Sequence, residues 1–240
     1  MNQPPSPYAS PLFRGRHFNR SIIILCVRWY VTYKLSYRDL VEMMAERGVV
    51  VSHTTILRWV QRYVPKFDKF WRHYARPAGT AWRVDKTYIK VCGRWAYLYR
   101  AVNKQGLTVD FLLSEHRDIA AARRFFTRAV GRHGTPKTIT LDGYPATHAA
   151  VAELKKRGVL HPQTKIRTSK YLNNLIEQDH RRMKQRVYPM LGFKNFRNAT
   201  VTLSGIELVQ MIGKGQFDTS AEIVREGTTI SQVWDAVLAE

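Results

Sequence analysis

The spacing of the apolar residues changes at about residue 81, and this change divides the chain into two kinds of structure. From 18 to 65 the apolar residues recur at helical spacing, which predicts three short helices. From Trp82 onward, β-branched and aromatic runs are separated by short glycine-containing turns, which predicts antiparallel hairpins. A chain of 240 residues has room for both parts. We therefore expect a helical N-terminal domain followed by an α/β domain.

The three predicted helices follow one another in helix-turn-helix order. Ser36 and Ser52 precede the second and third helices as N-caps, and Pro65 is predicted to end the third. The apolar positions of the first helix are Ile22, Cys26, Trp29 and Tyr33; those of the second are Tyr37, Leu40, Val41 and Met44; those of the third are Ile56, Val60 and Val64.

The opposite face of the third helix carries polar side chains that can reach phosphates and base edges. These are His53, Thr54, Arg58, Gln61 and Arg62. The alternative is a three-helix packing unit whose polar face is only solvated.

The second part of the chain is predicted to be a sheet with helices on it. The predicted strands are Trp82–Val91, Trp95–Val102, Leu107–Leu113 and Thr138–Leu141. The predicted helices are 118–131, 146–157 and Asn173–Tyr188, with a loop at 158–170.

The charge of the chain is strongly positive and unevenly distributed. The formal net charge is +21, with +9 in residues 1–80, +10 in residues 155–197 and −4 in residues 198–240. A protein this basic usually has a polyanionic partner, most commonly nucleic acid. The two basic blocks predict two separate contacts with that partner.

Several classes of protein are excluded. The longest plain apolar run, Ile22–Val27, is far shorter than the roughly 20 residues of a membrane span. The proline-rich segment 1–12 lacks the apolar core of a signal peptide. Cys26 and Cys92 lie far apart, which excludes a disulfide framework and a cysteine-based zinc site and fits a reducing cytosol.

Three carboxylates stand at positions that suit metal-dependent chemistry. Asp85 interrupts a predicted strand, and Asp142 follows the end of another, where sites in α/β sheets usually lie. Glu177 lies near the start of the last predicted helix and shares a face with Arg181 and Lys184. Three such groups can hold two Mg²⁺ or Mn²⁺ ions for phosphoryl transfer on a nucleic acid. Each acid taken alone is more commonly a surface charge or a helix cap.

Several segments resemble the bacterial insertion-sequence transposases of the DDE superfamily, close to the insertion-sequence six family. They include Val84-Asp-Lys-Thr-Tyr-Ile-Lys-Val, Gly93-Arg-Trp-Ala-Tyr-Leu-Tyr-Arg-Ala-Val and Asn173-Asn-Leu-Ile-Glu-Gln-Asp-His. The resemblance covers roughly residues 14–217. It implies an RNase H-like catalytic domain, a metal-binding triad of Asp85, Asp142 and Glu177, and a basic family position at Lys184. Two neighbours differ from similar sequences: Lys86 stands where Glu is frequent, and Gly143 stands where Lys is frequent.

The predicted organisation is a basic tail (1–17), a helix-turn-helix domain (18–66), a linker (67–80), the catalytic domain (81–217) and an acidic tail (218–240). The predicted function is a bacterial, cytoplasmic and nucleoid-associated transposase without a membrane contact. It would bind the terminal inverted repeats of its element, nick the ends and join the 3′-hydroxyl to target DNA as a homodimer or larger synaptic oligomer. The resemblance implies cointegrates as products. Two alternatives are a non-enzymatic DNA-binding regulator and an RNase H-like nuclease without strand transfer.

Overall fold

The computed structural model describes residues 17–168 and 174–218. Pro77–Ala199 forms one compact unit, and the described residues within Met1–Arg76 and Thr200–Glu240 form another. The predicted catalytic domain ran to 217, whereas this division places Thr200 and the residues after it in the unit with the N-terminal helices. Both predicted tails lie outside the described residues except at His17 and Asp218. Nowhere in the described ranges is a helix long and apolar enough to cross a membrane.

The first unit contains α1 (Arg20–Thr32), α2 (Tyr37–Ala45), α3 (His53–Trp71) and most of α7 (Phe196–Gly213). The predicted caps of α2 and α3 are confirmed. The Ser36 hydroxyl accepts hydrogen bonds from the backbone of Arg38 and Asp39, and the Asp39 carboxylate accepts one from the Ser36 backbone at 2.7 Å. The Ser52 hydroxyl accepts one from the Thr55 backbone at 3.2 Å. Both caps satisfy amide groups that the first helical turn leaves free.

The buried face of α1 differs from the predicted one. Ile23, Cys26, Val27 and Tyr30 are buried, whereas Tyr33 lies beyond the end of the helix and is 55% exposed. Every residue from 22 to 27 is apolar, so spacing alone does not select a face. Packing of α1 against α2 and α3 makes the selection.

The predicted end of α3 at Pro65 is wrong, and the first residues of the predicted linker (67–80) are helical. The helix continues through Pro65 to Trp71, and a short 3-10 helix follows at Arg72–Tyr74. An interior proline costs about 3 kcal/mol because one helical hydrogen bond is lost. Phe67 and Trp71 are buried at 1% and 3% exposure. Burial of two large side chains contributes roughly 1.5–3 kcal/mol each, which offsets that loss.

Helix α7 was not predicted, and Gly205 explains how it packs. A Cβ atom at Gly205 would lie 2.7 Å from a methyl carbon of Val31 and 3.1 Å from one of Val64. The missing side chain therefore allows the backbone of α7 to approach α1 and α3 closely.

The second unit is built on a five-stranded mixed sheet. Its strands are β1 (Ala81–Val91), β2 (Arg94–Asn103), β3 (Thr108–Ser114), β4 (Thr138–Leu141) and β5 (Lys165–Thr168), in the order β3-β2-β1-β4-β5. The first three strands are antiparallel, as predicted, while β4 is parallel to β1 and β5 to β4. Strand β5 falls within a predicted loop. Its sequence, Lys-Ile-Arg-Thr, has one apolar residue, and it forms at the sheet edge by backbone pairing with β4.

Helices α4 (Ile119–His133), α5 (Pro145–Lys156) and α6 (Asn174–Val187) complete this unit. Trp82 and Tyr99 of the sheet form one core with Phe125 and Phe126 of α4 and Leu154 of α5. Helix α6 packs against β1 and β2. The mixed sheet flanked by helices, expected for an RNase H-like domain, is therefore confirmed. The end of β4 lies beside the interior of β1, and α6 packs on β1.

Candidate active site

Asp85 lies on β1, and Asp142 directly follows the neighbouring strand β4. Strands β1 and β4 are parallel, and Val84 pairs with Leu141. Each aspartate directly follows one of these paired residues. Adjacent strands are about 4.8 Å apart, so the register alone places the two carboxylates next to each other.

Helix α6 is fixed over the sheet by a buried ion pair between Arg100 and Asp179. Arg100 stands opposite Asp85 in the pairing of β1 with β2 and is 0% exposed. Its guanidinium donates a hydrogen bond to the Asp179 carboxylate, which is 4% exposed. Asp179 therefore points away from Glu177, and Glu177 remains exposed in the first turn of α6.

The environment of Asp85 raises the pKa of its carboxyl group. Burial raises the pKa of Asp85 above its ordinary value, and the negative charges of Asp142 and Glu177 raise it further. A backbone hydrogen bond and the ammonium group of Lys86 act in the opposite direction. The structure thus concentrates negative charge at the place where the sequence predicted a cation site.

Lys86 and His180 contact these carboxylates directly. The Lys86 ammonium forms an ion pair with Asp142, and His180 Nδ1 lies 3.6 Å from Asp85 Oδ2. Burial lowers the pKa of His180 to about 3, and the charge of Arg100 lowers it as well. The imidazole next to Asp85 is therefore neutral near pH 7.

The carboxylates of Asp85, Asp142 and Glu177 are the type of ligand that a hard divalent cation prefers, but their side chains are not arranged to bind one. Mg²⁺ prefers carboxylate oxygens, and Asp85, Asp142 and Glu177 supply them. Among the residues described, no three carboxylate, imidazole or thiol groups are gathered closely enough to hold a metal ion. Lys86 occupies the carboxylate of Asp142, so a metal at this carboxylate requires the ammonium to move away.

Lys86 and Gly143, the two residues that differ from similar sequences, both adjoin Asp142: Lys86 forms the ion pair with it, and Gly143 follows it in the chain. The space beside Gly143 is open, because no atom lies within 4 Å of a Cβ added there. The side chain of Lys86 is 5% exposed, and its ammonium lies 4.2 Å from the ring centroid of Tyr144. Arg117 approaches the same ring at 3.8 Å. The cation beside Asp142 therefore comes from β1 and is held against an aromatic ring.

The remaining predicted residues lie on exposed helix faces. On α3, His53, Thr54, Arg58 and Arg62 are exposed and Gln61 is half-buried, while Ile56, Val60 and Val64 are buried as predicted. On α6, Arg181 and Lys184 are exposed.

Sequence reasoning missed the positioning roles of Arg100 and His180. An arginine inside an otherwise apolar strand was the signal for Arg100, because arginine is rarely fully buried without a partner.

Comparison with known proteins identifies the family of this chain. Residues 79–216 match the family described as the DDE domain. The chain belongs to the DDE transposases. As a DDE transposase, it is a metal-dependent enzyme that cuts and joins DNA.

Related transposases match most of the chain. The transposase for the insertion sequence-like element IS431mec of Staphylococcus aureus is 42% identical over 202 residues, which are 84% of this chain and 88% of that protein. The transposase for insertion sequence element IS257 in transposon Tn4003 of the same organism matches to the same extent. These relatives confirm the resemblance to the insertion-sequence six family.

Solved structures of integrase cores are also similar to part of this transposase. The catalytic core domain of BIV integrase is 18% identical, with a TM-score of 0.41, over 53% of this chain and 82% of that one. The HTLV-2 integrase catalytic core domain in complex with magnesium is 17% identical, with a TM-score of 0.42, over 54% and 83%.

Proposed function

We propose that this transposase mobilises an insertion sequence by nicking its ends and joining each 3′-hydroxyl to target DNA. The proposal is supported by the placement of Asp85 beside Asp142, with Glu177 on the helix that packs against β1. Asp85 and Asp142 follow paired residues of parallel strands, and the charges of Asp142 and Glu177 both raise the pKa of Asp85. From the family resemblance, we propose cointegrates as the products.

Asp85, Asp142 and Glu177 would hold two Mg²⁺ ions, and Mn²⁺ could substitute. When bound, such ions supply activation of the attacking oxygen and stabilisation of the leaving one. Nicking and joining are both in-line displacements at phosphorus, so the same three residues can serve both steps. No serine, tyrosine or cysteine nucleophile is required.

Other residues of this unit position the triad and the DNA. Lys86 pairs with Asp142 before a metal binds, and then becomes free to approach a phosphate next to the site. Arg181 and Lys184 lie on the exposed side of α6, one and two turns beyond Glu177, where they can bind the DNA backbone. The neutral imidazole of His180 leaves the charge of Asp85 available for a cation.

End recognition is assigned to the helices of 18–66. Helix α3 presents His53, Thr54, Arg58, Gln61 and Arg62 on the face opposite its buried side. Such a face suits the recognition helix of a helix-turn-helix, with the terminal inverted repeat as its ligand. Both ends of an element must be held at once, so we propose a homodimer or a larger synaptic oligomer. Its place of work would be the nucleoid in the bacterial cytoplasm.

Charge-removing substitutions with little change in volume test the triad. Asp85→Asn, Asp142→Asn and Glu177→Gln should each abolish nicking and joining of a labelled end-containing duplex in Mg²⁺ while leaving its binding intact. Glu115→Gln removes an exposed carboxylate of the same unit and should behave like the wild type.

The same assay separates the two alternative functions. Binding without cleavage by the wild type would indicate a regulator, and cleavage without joined products would indicate a nuclease. Near-wild-type activity of any triad variant would refute its assignment at that position.

A further inference from the structure

An apolar groove lies between the end of β1 and the end of α6. Four large hydrophobic side chains are exposed around it: Tyr88 (46%), Trp95 (63%), Tyr188 (84%) and Leu191 (89%). The groove encloses about 640 Å³. A contiguous exposed apolar patch of this kind marks an interaction site.

The groove has an apolar floor and positive charges along it. Ile89, Met183 and Val187 form the floor and are buried. The lining also includes Lys90 and Lys184, both of them exposed. An occupant that fits this surface needs an apolar strip together with acidic side chains.

Backbone contacts join the segment at Gly192 and Phe193 to Lys90 of β1. Gly192 adopts a φ of +91°, and a Cβ added there would lie 3.1 Å from the Lys90 carbonyl oxygen. The next residue, Phe193, donates a backbone hydrogen bond to that oxygen at 2.9 Å. These contacts hold the segment that carries Tyr188 and Leu191 against the end of β1. The groove is therefore a fixed feature of this unit.

The segment 219–240, which lies outside the described residues, has the matching composition. It contains four acidic residues and one basic residue. Its apolar residues recur at i, i+3, i+4, i+7 and i+8, a spacing typical of one face of an amphipathic helix. These residues are Ile230, Val233, Trp234, Val237 and Leu238.

We propose that the segment 230–238 docks into this groove, with Trp234 in the apolar interior and the acidic Asp235 facing Lys90 and Lys184. An amphipathic segment in an apolar groove is a recurrent mode of peptide recognition. The 12 residues from Asp218 to Ile230 span up to about 40 Å when extended, which gives the segment a long tether.

Docking has a consequence that rests on the proposed function. Lys184 is assigned above to the DNA backbone, and it also lines the groove. A docked acidic segment therefore competes with DNA for this side chain.

Site-specific photocrosslinking of the full chain tests the docking without DNA or metal, so its failure leaves the triad assignment untouched. Benzoylphenylalanine at position 234 should crosslink to peptides that contain Tyr88–Trp95 or Met183–Gly192. The same group at position 232, on the opposite side of a helix, should crosslink at least fivefold less. Crosslinks within one chain or between two chains both support the proposal, provided that they map to the groove.

A groove variant and a matched control complete the test. Leu191→Asp should lower the crosslink from position 234 at least fivefold. Val50→Asp is the control and should leave the crosslink unchanged, because Val50 is equally exposed, at 90%, but lies in the other unit. Crosslinks that map elsewhere, or that survive Leu191→Asp, would overturn the proposal.

The reverse experiment distinguishes other occupants. Benzoylphenylalanine at position 188 should capture a peptide from 230–238. Capture of an added end-containing duplex instead, or of residues 183–192 of a second copy, would identify a different occupant and would also overturn the proposal.

Discussion

Replacing Arg100 by methionine should strongly destabilise this transposase, because it leaves the Asp179 carboxylate buried without its guanidinium partner. Arg100 and Asp179 are 0% and 4% exposed. Removal of one member of a buried ion pair costs about 3–5 kcal/mol. In a protein of this size 1 kcal/mol corresponds to about 2–4 °C. We therefore expect the Tm to fall by roughly 6–20 °C.

Thermal unfolding followed by circular dichroism at pH 7 measures this effect. The double variant Arg100→Met/Asp179→Leu removes both charges and should recover at least half of the lost stability. Arg72→Met is the matched control, since Arg72 forms an exposed i,i+4 pair with Asp68 at 2.8 Å. Such pairs contribute about 0.3–0.5 kcal/mol, so this variant should melt within ~2 °C of the wild type.

The same substitution should release α6 from the sheet. Amide hydrogen exchange in residues 174–187 should become faster in Arg100→Met than in Arg72→Met. Strand transfer should fall even at temperatures where the variant is folded, because Glu177 is carried by this helix. The anchoring role would be refuted if the Tm of Arg100→Met were no lower than that of Arg72→Met. It would also be refuted if Arg100→Met/Asp179→Leu recovered none of the stability lost in Arg100→Met.

Three further predictions concern charged and polar side chains. Burial and like charges raise the pKa of Asp85, so its contribution to stability is present below about pH 3.8 and is lost as the pH rises through the folded-state pKa. Asp85→Asn should therefore raise the Tm of the metal-free protein at pH 7 but not at acidic pH. An equal Tm difference at all pH values would contradict this prediction. Lys184→Ala should slow strand transfer and make the slope of log binding constant against log salt concentration shallower by ~1. The control Lys156→Ala removes an exposed lysine of α5 and should leave strand transfer unchanged. Equal strand-transfer rates for the two variants would count against a specific contact of Lys184 with DNA. Arg58→Ala should weaken binding of all DNA sequences alike if Arg58 contacts phosphate, while Gln61→Ala should relax the preference for the inverted repeat. The measurement is the affinity of each variant for an end-containing and a random duplex. If neither variant changes these affinities, α3 does not recognise the ends.

Local patterns determined most of the secondary structure. Ser36 and Ser52 start their helices by bonds to residues two or three positions away, so the sequence shows them directly. The alternating and aromatic runs of β1 to β3 needed only short turns to form hairpins. The placement of Asp142 at the end of β4 followed from the end of the alternating segment Thr138–Leu141.

Tertiary contacts decided what these patterns left open. The face of α1 and the passage of α3 through Pro65 depend on what the helices bury, and β5 depends on an adjacent strand. The ion pair of Lys86 with Asp142 joins residues 56 positions apart. That of Arg100 with Asp179 joins residues 79 positions apart. Periodicity and capping act within a few residues, whereas charge pairing and burial act through space, and only the folded chain brings such partners together.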